Sequence, residues 1–592
     1  MLESVPASGY IFPVMTGIGR RKPELRSELS EAVRRDWRNI ANRRRIVGSG
    51  YADQPYLLKT DDGAWLCCVT VSSGQEGDPD QHVQTSRSAD QGRTWSEPVR
   101  VEPKEGLENS YAVMLKTSPG RIYIFYNHNS DNVREVLWHD RSGSFTRVDS
   151  LGHFVFRFSD DHGRTWSPRR YEIPVREFRC DRENVYGGRI RFFWNVGKPF
   201  FRNGTAYVTL HKVGQMGTGF YQQSEGVLLA SPNLDTESDP EKIVWETLPD
   251  GDTGLRAPVG GGPIAEEQNC VVLSDGSICC SYRGIDGYGA EAYSRDGGHT
   301  FEPPHYKMRY DGTPLKNPRA CNVVWKYAPG KYLYWFHNHG GRFIRKLAEC
   351  GEVCGKSPYS DRNPVWICGG TEVETGRGLE LRWGDPEILL YDVNPEIRMS
   401  YPDFLADGGR FFISETEKAV AGVHEIPQSF LDGLFRPPRK ELLFRSDGGK
   451  IRVEPLPPDR ILSFRFVLRR DEPGVWCRSF DPDGFGCEFG MDPERRLCLD
   501  WAEPQQRACI LSERMKNGIR EAEFVLDPMA GIVSFHADGK FCDGGEEKQF
   551  GWQRFPRDMF RLFRLPEAEV NTSLAETMEI RARSVKKRTG TD

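Results

Sequence analysis

The chain has 592 residues, with 80 Lys and Arg against 85 Asp and Glu, a formal charge of −5, 38% apolar and 11% aromatic residues. That length exceeds a single ordinary core, and a composition rich in rings and turns (61 Gly, 39 Pro) excludes a long-helix or disordered protein. The near-neutral balance gives no electrostatic case for nucleic acid or an anionic membrane surface, and no apolar run reaches membrane-spanning length.

Residues 1–45 read as an N-terminal extension. Its opening lacks a basic start followed by an apolar stretch, so a cytoplasmic location is expected. The segment PELRSELSEAVRRDWRNIANRRR (23–45) predicts a charged helix lying on the outside of the next domain. Arg43, Arg44 and Arg45 fit a solvated helix end better than a nucleic-acid contact.

Residues 46–435 carry two independent repeats. Apolar runs broken by a glycine turn recur six times, at Gly63, Gly120, Gly204, Gly276, Gly330 and Gly408. Each is a strand–turn–strand signal, and six such hairpins at intervals of 54 to 84 residues predict a six-bladed β-propeller of four-stranded blades. The alternative is a β-sandwich with accidental turn similarity. The second repeat is the turn S-x-D-x-G-x-T-[W/F], found at Ser88–Trp95, Ser159–Trp166 and Ser294–Phe301. Its Asp accepts backbone N–H bonds, its Gly permits positive φ and its ring packs beneath. The intervals of 71 and 135 residues place a degenerate copy near Ser231.

Charged and polar residues gather where these hairpins begin: Asp53 with Gln54, Asn109 with Ser110, Glu266 with Glu267, Arg319, and Tyr401 with Asp403. Arg189 and Arg191 precede the third hairpin. Charges at the mouths of apolar hairpins are costly to bury unless paired, which favours a shared pocket. His337 and His339 end the fifth hairpin on one strand face and suit a pocket wall better than half a metal site. Cys350 and Cys354, with Cys368 beyond, supply too few ligands for zinc. The fifteen cysteines are an odd number, many within apolar runs, and read as reduced core residues. No metal or cofactor is expected.

After about residue 435 the boxes stop. Residues 436–592 alternate in short strands separated by polar turns, which predicts an antiparallel β-sandwich.

The repeated S-x-D-x-G-x-T-W turn on a six-bladed plan resembles the sialidase (neuraminidase) superfamily over residues 48–430, and DGKFCDGG followed by FGW resembles a hairpin of concanavalin- or laminin-G-like jelly rolls. In EEQNCVVLSDG, Glu267 stands eight residues before Asp275, matching the family glutamate that draws the proton from a tyrosine nucleophile. Tyr401, in MSYPDFLADGG, is similar to that tyrosine, though two residues nearer its turn. Glu415 lies where a family carboxylate follows. Arg283 and Arg319 match two of the three arginines that grip a substrate carboxylate. The first arginine is missing: Asp53 stands in its place. The loop that should supply the general acid offers Glu76, Asp78, Asp80 and His82.

The resemblance therefore implies an exo-acting glycoside hydrolase on a glycan. Tyr401 would be the nucleophile, Glu267 its base, and Asp80, His82 or Asp53 the acid. Arg283, Arg319, Gln54, Glu266, Asp403, His337, His339 and Arg189 would contact the sugar. Two alternatives keep the architecture: a lyase or a uronic- or neutral-sugar glycosidase, fed by the absent arginine, and a non-catalytic carbohydrate-binding protein.

Overall fold

At each of the six glycine turns the backbone is left-handed, with φ between 59 and 96°, so the chain reverses sharply between two β-rich arms. The computed structural model describes residues 23–585 except 49, 218–219, 341–360, 437–439, 504–505, 547, 556, 558–559, 561–562 and 564–566.

Each hairpin belongs to its own antiparallel sheet of four or five strands. The first sheet begins with Tyr51–Lys59 and Trp65–Ser72, the second with Asn109–Lys116 and Ile122–His128. The third is built on the long pair Thr205–Gly217 and Phe220–Ser231. The fourth opens with Glu266–Val272 and Ile278–Arg283, the fifth with Val323–Ala328 and Lys331–Phe336. The sixth joins Ser400–Asp407, Arg410–Thr416 and Val420–Ile426 to Arg44–Gly48 from near the N-terminus.

Side chains tie each sheet to the next. Thr70 accepts from Tyr111 N at 2.8 Å, Asn127 donates to Phe193 O at 2.5 Å, and His211 Nδ1 accepts from Glu267 N at 3.1 Å. Asn269 accepts from Val324 N, the rings of Trp325 and Phe404 lie 5.8 Å apart, and Asp403 accepts from Leu57 N. The sixth sheet is thus bonded back to the first. Four of these ties satisfy backbone N–H groups that a strand edge would leave without partners.

The three S-x-D-x-G-x-T turns share three bonds. In the first, Gly92 N donates to Ser88 Oγ, and Thr94 donates through both its N–H and its hydroxyl to Asp90. Near Ser231, Asn233 stands in the position of the Asp and accepts from Val244 N.

The N-terminal segment departs from expectation. The helix is shorter, Pro23–Arg35, and Arg44–Gly48 is a strand. Arg43 and Arg44 are needed there as ion-pair partners, to Glu417 and Glu425 of the sixth sheet, so the basic run closes a sheet edge. The helix packs Leu29, Ala32 and Val33 into an apolar cluster that also holds residues of the fourth and fifth sheets and of the C-terminal sheets.

The C-terminal residues form a seven-stranded and a six-stranded antiparallel sheet. Phe464, Phe466 and Phe524 of one meet Trp476 and Phe489 of the other, with Phe464 and Phe489 centred 4.8 Å apart. This unit also packs on the fifth sheet, where Trp552 lies 5.8 Å from Trp366. Cys350 and Cys354 lie outside the described residues, and the thirteen described cysteines are free.

Arg38 joins the two ends of the chain. It is 1% exposed and holds Asp36 at 2.7 Å and Asp527 at 2.5 Å. Burial alone would raise the Asp527 carboxyl, yet Arg38 keeps it below the usual range. Arg38→Ala strands two buried carboxylates and is expected to cost about 3–5 kcal/mol in denaturant unfolding. Removing the exposed partner of Asp252, by Arg182→Ala, is expected to leave the denaturant midpoint nearly unchanged.

Candidate active site

Four of the six sheets begin with the same irregularity. The register slips between Asp53 and Tyr56, Ser110 and Val113, Glu266 and Asn269, and Ser400 and Asp403. In each slip one non-glycine residue is left-handed: Gln54 (φ 54°), Tyr111 (59°), Glu267 (59°) and Tyr401 (48°). Such backbone costs about 1–3 kcal/mol per residue and persists where it re-aims a side chain.

Tyr401 and Glu267 are re-aimed at each other. The Tyr401 hydroxyl donates to Glu267 Oε1 at 2.8 Å across 134 positions of sequence, and both residues are buried. Arg283 Nη1 meets the same Oε1 at 2.8 Å, while its Nε donates to Glu266 at 2.9 Å. Arg319 grips Glu266 bidentately, through Nε at 3.1 Å and Nη2 at 2.5 Å. In a regular strand Glu266 and Glu267 would face opposite sides; the slip lets one guanidinium hold both.

These two glutamates titrate in opposite directions. Burial pushes Glu266 up, but Arg319 and Arg283 outweigh it and hold the carboxyl at about 2. Burial keeps Glu267 above the usual range, against the pull of Arg283. The Tyr401 phenol is pushed well up by burial and by the Glu267 charge. Glu267 Oε2 has no hydrogen-bond partner among the described residues.

A second group of charges flanks the phenol. Lys418, left-handed at φ 76° in the turn after Arg410–Thr416, sets its ammonium 4.5 Å from the Tyr401 ring centre. It donates to Asp53 at 2.6 Å, and Asp53 also accepts from the Tyr51 hydroxyl at 2.7 Å. Burial raises the Asp53 carboxyl despite Lys418. Glu76 lies 3.0 Å from Arg147 and 3.5 Å from Lys418. Burial would raise Glu76, but Arg147 and Lys418 bring it to about 2. Arg147 also holds Asp149 through two bonds of 2.7 Å, and Arg362 donates to Ser400 Oγ at 2.5 Å.

The other residues singled out from sequence are dispersed. Gln54 is buried and donates to Asn195 O at 3.2 Å. Asp403 bonds Leu57 N and Lys198, both at 2.7 Å, and so fastens sheets together. Asp80 is exposed and accepts from Ser73 N, and His82 Nδ1 meets Asp80 O; these bonds lie within their own loop. Arg189 is exposed on a turn and bonds Tyr186 O. His339 bonds Asp361 O and stacks on Phe550 of the C-terminal unit at 4.7 Å. His337 is buried, with both ring nitrogens lacking partners among the described residues. Glu415 is buried against His424 at 3.1 Å.

Lys418, Arg147, Asp149 and Arg362 were not foreseen. They stand on turns and loops outside the hairpin mouths, and no local pattern marks them. Two clusters elsewhere bring potential metal-ligand atoms within 4.8 Å of one another: Cys498, Asp500 and Cys509, and Glu246, Asp250 and His299.

Lys418→Met removes the cation from buried Asp53 and is expected to cost about 3–5 kcal/mol at neutral pH. Without the ammonium the folded-state pKa of Asp53 rises further above its unfolded value. The penalty is therefore full at high pH and fades as pH falls through the Asp53 range, where the carboxyl is neutral in either protein. Parallel denaturant titrations at neutral and acid pH measure this; a penalty that does not shrink in acid would refute the pairing.

Three solved structures give the measure of structural likeness. A protein of unknown function from Dyadobacter fermentans is 14% identical, with 64% of this chain and 97% of that chain covered and a TM-score of 0.41. A leech intramolecular trans-sialidase is 14% identical, covering 65% and 69%, at a TM-score of 0.43. The intramolecular trans-sialidase of Ruminococcus gnavus is 14% identical, covering 64% and 95%, at a TM-score of 0.41. No curated protein matches the sequence. The model of the BNR repeat-like domain matches residues 63–413, which take in the second to fifth glycine-turn hairpins whole, the turn and second strand of the first, the sixth as far as residue 413, and all three S-x-D-x-G-x-T turns. Since that match spans more than half of the chain, this protein belongs to the BNR repeat-like domain family.

Proposed function

We propose that the six sheets close as a six-bladed, sialidase-like propeller, followed by a concanavalin-like sandwich, and that the chain is an exo-acting glycoside hydrolase of the sialidase superfamily removing a terminal sugar from a glycan. The observation that carries this reading is the buried 2.8 Å bond from the Tyr401 hydroxyl to Glu267. A phenol is a poor nucleophile at neutral pH unless a base takes its proton as it attacks.

In this reading Tyr401 Oη attacks the anomeric carbon while its proton passes to Glu267 Oε1. Arg283 stabilises Glu267 in its ionised form, and Lys418 over the ring offsets the negative charge gathering on the phenol oxygen. The leaving oxygen takes its proton from the Asp53–Lys418 pair beside the ring. Asp80 and His82, bonded within an exposed loop, are set aside. Water then attacks the anomeric carbon and displaces the tyrosine, its proton passing to the Asp53–Lys418 pair that protonated the leaving oxygen, while Glu267 returns its proton to Oη.

Tyr401→Phe is expected to lower kcat on chromogenic glycosides by on the order of 10³-fold or more, with thermal unfolding unchanged. A near-wild-type rate removes Tyr401 from the mechanism. The pH profile follows from Glu267, which must be ionised to act. Because burial raises its pKa, the acid limb of kcat/KM is expected to have its midpoint above the 4.5 of an ordinary glutamate, with activity rising as pH rises through it. A limb at or below that value argues against Glu267 as the base.

A further inference from the structure

Eleven of the thirteen described cysteines are buried, as small apolar residues of a β core. The other two, Cys498 and Cys509, meet on the outer face of the six-stranded C-terminal sheet. Alternation puts them there: along Arg496–Glu503, Leu497, Leu499 and Trp501 are buried, and Cys498 and Asp500 fall on the opposite face. Cys509 comes from Gln506–Arg514, the edge strand of that sheet, where it pairs with Asp500.

Three ligand atoms converge as a result. Cys498 Sγ lies 3.0 Å from Cys509 Sγ and 3.3 Å from Asp500 Oδ1, and all three groups meet within 4.8 Å. The other carboxylate oxygen, Oδ2, accepts from Arg507 at 3.0 Å, and Arg507 also reaches Glu488 at 3.4 Å. Arg507 thus fixes the carboxylate with Oδ1 turned to the thiols, as outer partners do around metal ligands. Arg496 and Lys548, the other cations near Cys509, are engaged by Asp492 and by Leu511 O. The hydrogen bond shared with Cys509 holds the Cys498 thiol well above its usual range. A divalent ion displaces that proton and takes both sulfurs as thiolates.

A disulfide suits these positions less well. Cys498 pairs with Leu511, so Cys498 and Cys509 are diagonal neighbours, not opposite ones. Diagonal Cα atoms stand about 7–8 Å apart, whereas a disulfide rarely spans more than about 7 Å. Tetrahedral zinc, bonded to sulfur at about 2.3 Å, sets its sulfurs about 3.8 Å apart. The pair at 3.0 Å need only open slightly to reach that spacing.

We propose that Cys498, Cys509 and Asp500 form a site for a thiophilic divalent cation, zinc by its ligand chemistry, with water in the fourth position. The bound ion rivets the edge strand Gln506–Arg514 to Arg496–Glu503. None of the three ligands belongs to the site around Tyr401, so the proposal stands or falls apart from the glycosidase reading.

The test titrates the full chain, reduced and stripped of metal by a chelator, with Cd²⁺ while the thiolate-to-metal charge-transfer absorbance is followed. The wild-type chain is expected to give a saturable signal. Cys498→Ser and Cys509→Ser, both outside the core, are expected to keep wild-type circular dichroism and to weaken binding at least about 100-fold. Asp500→Asn, which leaves the thiols in place, is expected to keep the band and weaken binding at least about tenfold. Excess Zn²⁺ is expected to raise the thermal midpoint of the wild-type chain and to leave that of Cys509→Ser unmoved. No signal in the wild type, or equal affinity in the serine variants, overturns the proposal, the latter by placing the metal on other cysteines. Undiminished affinity in Asp500→Asn overturns the three-ligand site. A Cys498–Cys509 disulfide found by peptide mapping of aerobically purified chain assigns the pair to redox chemistry and overturns it too.

Discussion

The Arg283 guanidinium, shared between Glu266 and Glu267, is the contact on which the site depends. Two adjacent carboxylates in a buried strand repel each other and would both tend to protonate. Arg283 prevents that, and it does so unequally. Glu266, held also by Arg319, stays firmly ionised, while Glu267, with fewer partners, is left higher. That separation turns two like residues into a fixed charge and a group able to exchange protons with Tyr401. Neither role follows from residue type; both follow from how many N–H groups reach each oxygen.

Backbone strain sets up this division. Gln54, Tyr111, Glu267 and Tyr401 occupy the same position in four sheets, one residue into a register slip and left-handed. Repetition of one costly feature at equivalent positions argues that it is inherited with the repeat. Its chemical content was then set by substitution: a glutamine that braces Asn195, a tyrosine that bonds Asp149, and the Glu267–Tyr401 pair. The sheets serve as rigid mounts, held to one another by Thr70, His211, Asn269 and Asp403.

Much of the fold was legible because its signals are local. A glycine turn between alternating arms needs only about a dozen residues to declare itself, and all six hairpins form where those turns stand. Glu267, Arg283, Arg319 and Tyr401 were legible because they flank those hairpins at spacings that resemble a known family. Lys418, Arg147 and Asp149 were not, because their positions depend on how separate loops meet. Charge at a hairpin mouth also proved ambiguous: Asp403 braces neighbouring sheets, and Arg189 stands on an exposed turn. The helix was read too long because Arg43 and Arg44 look like a solvated end until Glu417 and Glu425 are seen opposite them.

The C-terminal sheets touch the fifth sheet at the strand end that carries His337 and His339. Trp552 donates to Asn338 O at 2.8 Å, Gln549 meets His339 Nδ1 at 3.2 Å, and Arg554 holds Asp361 at 2.8 and 3.0 Å. Asp361 is the chain neighbour of Arg362, which donates to Ser400, the chain neighbour of Tyr401. A continuous line of polar contacts therefore runs from the C-terminal unit to the residue beside the phenol. A module tethered only to capture sugar would need no such line, since a flexible linker serves that purpose. The bonded contacts and the shared apolar cluster instead fix the C-terminal sheets to the fifth sheet and, through Asp361 and Arg362, to the residue beside Tyr401.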